Sequence, residues 1–318
     1  MENKFTFIDL FAGIGGFHVA AERNGGECVF ASEIDLHARQ AYFANYDIEP
    51  DGDITAISAA DIPDHDMLCA GFPCQPFSII GNRQGFDDMR GTLFFEIVRI
   101  LQEKLPPMIV LENVKQLSTH NKGRTIKRII EALNELGYKT YRRILNALDY
   151  GLPQKRERTI IVGFLDHNVA FHWPKKLTTY KPLSHVLETD VHDRYYASEF
   201  ISRKRQAVHT SQYYPAIWHE NKSGNISSHP FSCALRAGAS YNYLLVNGER
   251  RLTPREMLRL QGFPDSFEIV CSDSQTRKQA GNAVPVPMIQ AVIKEVLHAK
   301  TQTERQPEQE RQGALSFR

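Results

Sequence analysis

The spacing of apolar positions changes period along this chain. Short apolar runs at "FTFIDL" (5–10), "CVFAS" (28–32), "MLCAG" (67–71), "MIVLEN" (108–113) and "RTIIVGF" (158–164) read as β-strands. Between them the period becomes helical. In "TLFFEIVRILQEKL", Leu93, Phe94, Ile97, Val98 and Leu101 fall on one face. In "GRTIKRIIEALNELG", Ile126, Ile129, Ile130, Leu133 and Leu136 do the same, and Gly137 supplies a stop. Strands alternating with helices of this length predict an α/β fold: a mostly parallel sheet covered on both faces.

After Pro174 the periodicity fades. Residues 175–250 are rich in Lys, Tyr, His, Ser and Asn, which suggests a second domain of short strands and loops. The segment "RLTPREMLRLQGFP" then carries every mark of a helix. Thr253 can cap it, Pro254 suits its first turn, Glu256 completes a capping box and Gly262 ends it. A last helix over roughly 285–300 presents Met288, Ile289, Val292, Ile293, Val296 and Leu297, a stripe that needs the first domain as its partner. One domain is therefore expected from 1–174 plus 272–300 and another from 175–271, with the polar tail 301–318 disordered.

Composition alters this picture little. A chain of 318 residues with 42% apolar and 24% charged residues suits one large soluble domain or two smaller ones. The start, "MENKFTFIDLFAG", lacks the layout of a secretory signal, and no run is long enough to span a bilayer. Five cysteines at irregular spacing argue against a disulfide framework and for a reducing, cytoplasmic setting. No C-x-x-C pair or His-rich cluster suggests a metal. A net charge of +1 does not by itself announce a nucleic-acid partner, although "ISRKRQ" and "NGERRLTPRE" are locally basic.

Candidate chemistry gathers at the carboxyl ends of the strands, where open α/β sheets bind ligands. The first strand runs into "DLFAGIGGFHVA", whose Gly13, Gly15 and Gly16 let backbone approach a ligand. The dinucleotide fingerprint G-x-G-x-x-G is incomplete, because His18 stands in its last position. Glu33, twenty residues after Gly13, is placed to hold both hydroxyls of a ribose, and Asp53 to meet an adenine amino group; Asp35 reads as a helix cap. Such a turn suits an adenosyl ligand better than a dinucleotide. The third strand leads into "FPCQPFS". Pro73 and Pro76 stiffen the backbone around Cys74, which is where a thiolate nucleophile belongs, whereas Cys69 inside the strand reads as a small buried hydrophobe. "VLENV" delivers Glu112 to the same edge, where burial would keep its carboxyl protonated as a donor. Arg156 and Arg158 in "PQKRERTIIVG" share one strand face and are expected to form a guanidinium pair near Glu112. The connection "QPFSIIGNRQGFDDMRGT", with Gly81, Gly85, Gly91, Arg83 and Arg90, reads as a lid.

"FIDLFAGIGG", "GFPCQPFS", "RGTLFFEI", "LENV", "NALDYGLPQKRER", "LTPREMLRLQGFPD" and "GNAVPVPM" occur in that order. Together they closely resemble the DNA (cytosine-5) methyltransferases of bacterial and phage restriction–modification type, over roughly 1–170 and 250–297. The resemblance implies an S-adenosylmethionine-dependent methyltransferase sheet, a smaller domain that reads the target, and double-stranded DNA between them. It implies a cofactor site from Phe11, Ala12, Gly13, Gly15, Gly16, Glu33, Ile34, Asp53, Ile54, Phe72, Pro73, Asn282 and Ala283, with S-adenosylhomocysteine as product. It implies that Cys74 is the nucleophile, that Glu112 bonds cytosine nitrogen 3, and that Arg158, supported by Arg156, steadies both. A cytosine inside a stacked duplex must be turned out for this chemistry, and Gln75 would fill the gap. Ser78, Arg83, Arg90 and Arg236 are the further DNA contacts implied. Where the family often has a Thr on the flipped nucleotide's phosphate, "FSCALRAGAS" has Ala234 or Cys233, with Arg236 as a substitute. Ile34 stands where an aromatic often stacks on adenine. A monomer is expected, with a separate cognate restriction endonuclease.

Other readings fit less well. A transfer-RNA cytosine methyltransferase on the same scaffold would usually carry a Cys-Phe-Thr block that is absent here. A nicotinamide oxidoreductase leaves Cys74 unexplained, and a non-catalytic DNA-binding module needs no Cys74, Glu112 and Arg158 together.

Overall fold

The computed structural model describes residues 4–73 and 93–315, with side chains through Glu304. Cys74, Gln75, Ser78, Arg83 and Arg90, with the expected lid, lie outside the described residues.

The strands β1 (Phe5–Leu10), β2 (Gly26–Ser32), β3 (Met67–Gly71), β4 (Met108–Val114), β5 (Lys139–Asn146), β6 (Gln154–Lys155) and β7 (Glu157–Phe164) alternate with helices α1 (Gly16–Glu22), α2 (Leu36–Tyr46), α3 (Leu93–Lys104) and α4 (Arg124–Glu135). The six-stranded sheet has the order β2-β1-β3-β4-β7-β5. The pairs from β2 to β4 are parallel, whereas β7 is antiparallel to both β4 and β5. The expected parallel sheet thus holds for four strands. Strand β7 reverses direction because β5, β6 and β7 follow one another with only short turns between them.

Alternation along each strand divides the core into two layers. Phe7, Met67, Cys69, Met108 and Val110 face one side, with α1 and the final helix. Ile8, Leu10, Leu68, Ala70, Ile109 and Leu111 face the other, with α3 and α4.

Residues 175–250 fold as short pieces, as their texture predicts: α5 (Glu199–Gln206), β8 (Ile217–Glu220), β9 (Ile226–His229), β10 (Ser232–Cys233) and β11 (Leu244–Val246). Strands β11, β8 and β9 form a small sheet, and β10 pairs with β6. The capping box of α6 (Pro254–Gln261) is formed: the Glu256 backbone N–H donates to the Thr253 hydroxyl, and the Glu256 carboxylate accepts from the Thr253 N–H. Helix α7 (Asp273–Asn282) leads into α8 (Val286–Leu315), which packs on α1. Helix α8 continues past residue 300, where a disordered tail was expected. Its Gln, Glu, Arg and Ala residues favour helix, and Lys300 pairs with Glu304 one turn on. No helix among the described residues is long and apolar enough to cross a membrane.

Candidate active site

A cavity of about 350 Å³ opens at the carboxyl ends of β1 to β4. Its size is that of a small-molecule site. The glycine turn forms one wall. Phe11 sits there at φ 56, a left-handed conformation that a bulky side chain adopts only where its surroundings impose it. The Gly13 N–H donates to Glu33 Oε2 at 2.8 Å, and the Asp35 N–H donates to Glu33 Oε1 at 2.8 Å. The acid at the end of β2 is therefore held by backbone on both oxygens while its carboxylate lines the cavity. A Cβ added at Gly13 would meet no atom within 4 Å, so the turn presents bare backbone there. Asp35 caps α2 as expected, accepting from the N–H groups of His37 and Ala38, and its other oxygen meets Lys278 at 2.5 Å.

The opposite wall is built around Glu112. Gly71 and Glu112 are register partners in β3 and β4, so the Phe72–Pro73 segment leaves the sheet beside this carboxyl group. Arg158 on β7 approaches from the next strand, with Nε 2.7 Å from Glu112 Oε1. Burial pushes the Glu112 carboxyl above the usual carboxylate range, against the opposing pull of Arg158 and Arg156. Arg158 thus fixes one oxygen of a carboxyl group that gives up its proton less readily than an exposed one.

Arg156 departs from the expected pair. Both arginines line the cavity, yet Arg156 does not grip Glu112. Its Nη1 donates to the Leu235 carbonyl at 2.8 Å, and its Nη2 donates to those of Gly281 at 3.0 Å and Ala283 at 2.8 Å. The reason is position: Arg156 falls between β6 and β7, where the segment after β10 and the end of α7 present those carbonyls. Burial, and the neighbouring Arg158 charge, bring its pKa down to about 9, so it remains charged at neutral pH.

The family description "C-5 cytosine-specific DNA methylase" matches residues 5–298. The chain belongs to that family. The methylase is 56% identical to "Type II methyltransferase M.NgoBI" of Neisseria gonorrhoeae over 293 residues, which are 91% of this chain and 92% of the relative. It is 54% identical to "Type II methyltransferase M.HaeII" of Haemophilus aegyptius, over 93% and 94% of the two chains. The fold is that of a Spodoptera frugiperda DNMT2 crystal structure, with a TM-score of 0.73 at 21% identity over 92% of this chain and 99% of that one. A Schizosaccharomyces pombe counterpart, titled "S. pombe Dnmt2 methyltransferase", gives 0.71 at 23% identity over 92% and 98%. The methylase is thus a cytosine-5 DNA methyltransferase, an α/β enzyme.

Of the residues singled out in its sequence, the methylase brings Phe11, Ala12, Gly13, Gly16, Glu33, Ile34, Phe72, Pro73, Glu112, Arg156, Arg158, Asn282 and Ala283 to one cavity. Gly15, Asp53 and Ile54 are not in its lining among the described residues. Gly15 faces Tyr46 instead, and Asp53 caps the single turn Ile54–Ala56 by accepting from the Thr55 N–H. Arg236 is exposed, with its guanidinium over the Tyr243 ring at 4.8 Å, beside a separate cavity of about 150 Å³.

Sequence reasoning missed three residues of the methylase. Asn113 Nδ2 donates to the Phe72 carbonyl at 2.8 Å and so pins the segment that leads to Cys74. Gln154 accepts from the Leu235 N–H at 3.0 Å and donates to the Leu260 carbonyl at 2.8 Å. Tyr46 reaches the glycine turn. The buried polar position after Glu112 in an apolar strand was a readable sign for Asn113; the other two depend on contacts far apart in sequence.

Proposed function

We propose that this enzyme methylates carbon 5 of a cytosine turned out of a specific double-stranded DNA sequence, through a transient bond to Cys74, with S-adenosylmethionine as donor. The observation that carries this reading is the meeting of Glu112 and Arg158 beside the Phe72–Pro73 segment, at one end of the cavity whose other end is the glycine turn.

The donor set suits the cofactor. Glu33 has a carboxylate fixed for vicinal hydroxyls, Phe11 and Ile34 offer apolar surface to a purine, and the bare turn at Gly13 leaves space. When bound, S-adenosylmethionine supplies an electrophilic methyl group. The chain's own residues prepare the acceptor. The Cys74 thiolate bonds to carbon 6 while the Glu112 proton is given to ring nitrogen 3, which pushes electron density onto carbon 5. Arg158 keeps Glu112 aimed at the ring. After carbon 5 has gained its methyl group, a water molecule takes its proton, the electron pair of that C–H bond restores the carbon 5–carbon 6 double bond, the carbon–sulfur pair returns to Cys74 and the nitrogen 3 proton to Glu112.

The catalytic and cofactor unit is assigned to 1–174 plus 272–300, and target reading with its hinge to 175–271. Arg236 is assigned to DNA contact on the strength of its exposure and charge. The enzyme is assigned to the cytoplasm as a monomer beside a cognate nuclease, in line with relatives named Type II methyltransferases.

The test is DNA carrying 5-fluorocytosine, whose fluorine cannot leave as a proton does. A denaturant-stable protein–DNA species is expected from the native chain and none from Cys74→Ser, which also loses methyl transfer. Turnover by Cys74→Ser would refute the covalent step.

A further inference from the structure

The incomplete glycine fingerprint raises a question: what does His18 do in the position of its last glycine? Its ring is buried and lies behind the turn, away from the cavity. It stacks on Tyr46 with centroids 4.0 Å apart, and its Nδ1 is 2.7 Å from the Tyr42 hydroxyl. Burial brings the His18 pKa down to about 4, so the imidazole is neutral. Tyr42 is fully buried and packs edge-on to Tyr46 at 4.6 Å. Tyr46, at the last position of α2, points its hydroxyl back at the turn. That hydroxyl lies 3.0 Å from the Ile14 carbonyl and 3.3 Å from the Gly15 carbonyl. Gly15 sits at φ 81, and a Cβ there would come within 2.3 Å of the Tyr46 ring. The close approach of Tyr46 therefore dictates a glycine as much as the backbone angle does.

We propose that Tyr46, held by His18 and Tyr42, is a positioning residue that pre-sets the glycine turn for S-adenosylmethionine. The proposal rests on the cofactor reading above. A turn with Gly13, Gly15 and Gly16 can flip its peptides at little steric cost, and each flip would swing a carbonyl to where the ligand needs bare backbone or an N–H. Glu33 secures the turn from the front through Gly13. Tyr46, which like Ile14 and Gly15 does not line the cavity, secures it through the carbonyls of Ile14 and Gly15, the latter also accepting from the Val19 N–H as α1 begins. The two grips remove conformational freedom before binding, so less is lost when the ligand arrives. His18 supplies the flat surface that keeps the Tyr46 ring in place, which a glycine would not.

The test is calorimetric titration of S-adenosylmethionine into the native chain, Tyr46→Phe and Tyr46→Leu, with DNA affinity and kcat at saturating cofactor measured on the same samples. Tyr46→Phe keeps the stacked ring and loses one hydrogen bond. It should raise the Kd for the cofactor roughly three- to tenfold, the size of one net hydrogen bond, with kcat and DNA affinity unchanged within about twofold. Tyr46→Leu, which also removes the stack, should weaken cofactor binding further. A native chain that binds the cofactor while Tyr46→Phe binds it equally well overturns the positioning role and leaves the cofactor reading intact. Equal losses in cofactor affinity, DNA affinity and cofactor-free melting temperature would show a general structural role and also overturn it. A native chain that binds no cofactor overturns both readings.

Discussion

The wall of the cavity that carries the glycine turn is assembled from residues 11 to 46, within a single β–α–β–α stretch. The facing wall draws on Phe72, Glu112, Asn113, Gln154, Arg156 and Arg158, and reaches into Leu235, Gly281 and Ala283. The first wall is mostly local and rests on backbone held by nearby side chains, with ties from α7 through Lys278 to Asp35 and Gln279 to the His37 carbonyl. The second exists only when segments up to 127 residues apart have docked. Ligand binding at the first wall should therefore survive damage that removes chemistry at the second.

The harshest way to break this contrast is Arg156→Met. It leaves buried carbonyls of Leu235, Gly281 and Ala283 without a donor, at about 1–3 kcal/mol for each group left unpaired. Denaturant melting should show the largest loss among the variants considered, while the folded fraction still binds S-adenosylmethionine. Loss of cofactor affinity in that fraction would erase the distinction between the walls.

Glu112→Gln comes next. Removing the proton donor should lower kcat by about 10²–10⁴-fold with cofactor affinity unchanged. The pH profile sharpens the assignment. Because burial raises the Glu112 pKa, the protonated donor is present below that raised value and is lost as pH rises through it. The native chain should show a falling limb in kcat on that side, and Glu112→Gln should lack it. On the local wall, Glu33→Ala removes the carboxylate proposed to accept from two ribose hydroxyls. It should weaken cofactor binding by about tenfold or more in calorimetry, with DNA affinity retained.

The smallest effect is expected at Asp9, on β1 beneath the glycine turn. It is fully buried, and the His18 backbone N–H only partly offsets that burial. Burial holds its pKa well above the ordinary aspartate range. Folding therefore favours the protonated form. Its contribution is complete at pH below the ordinary aspartate value and declines as pH rises toward the raised one. Asp9→Asn copies the neutral shape, so its melting temperature should change less with pH and match or exceed that of the native chain at pH 8.

The local wall was largely legible in the sequence because its signals are short-range. Strands β1 and β3 fall where the apolar runs place them, the spacing of Gly13 and Glu33 corresponds to a hydrogen bond, and Asp35 is the cap it resembles. The capping box at Thr253 and Glu256 was equally readable. Strand β5 was not, because "KTYRRILN" interrupts its apolar alternation with arginines suited to a sheet edge. Helix α7, "DSQTRKQAGN", has no apolar stripe to betray it. The fate of Arg156 was hidden for a different reason. Spacing predicted the face it shares with Arg158, but its partners come from the segment after β10 and the end of α7, whose arrival no local pattern announces.

The joint between β6 and the segment after β10 has an evolutionary consequence. Gln154 and Arg156 hold the N–H and the C=O of Leu235, atoms that every amino acid other than proline provides. Side-chain changes from Arg236 to Asn242 therefore leave these two hydrogen bonds in place. If residues 175–271 read the DNA target as proposed, a change of side chains in this stretch alters specificity without touching the catalytic wall.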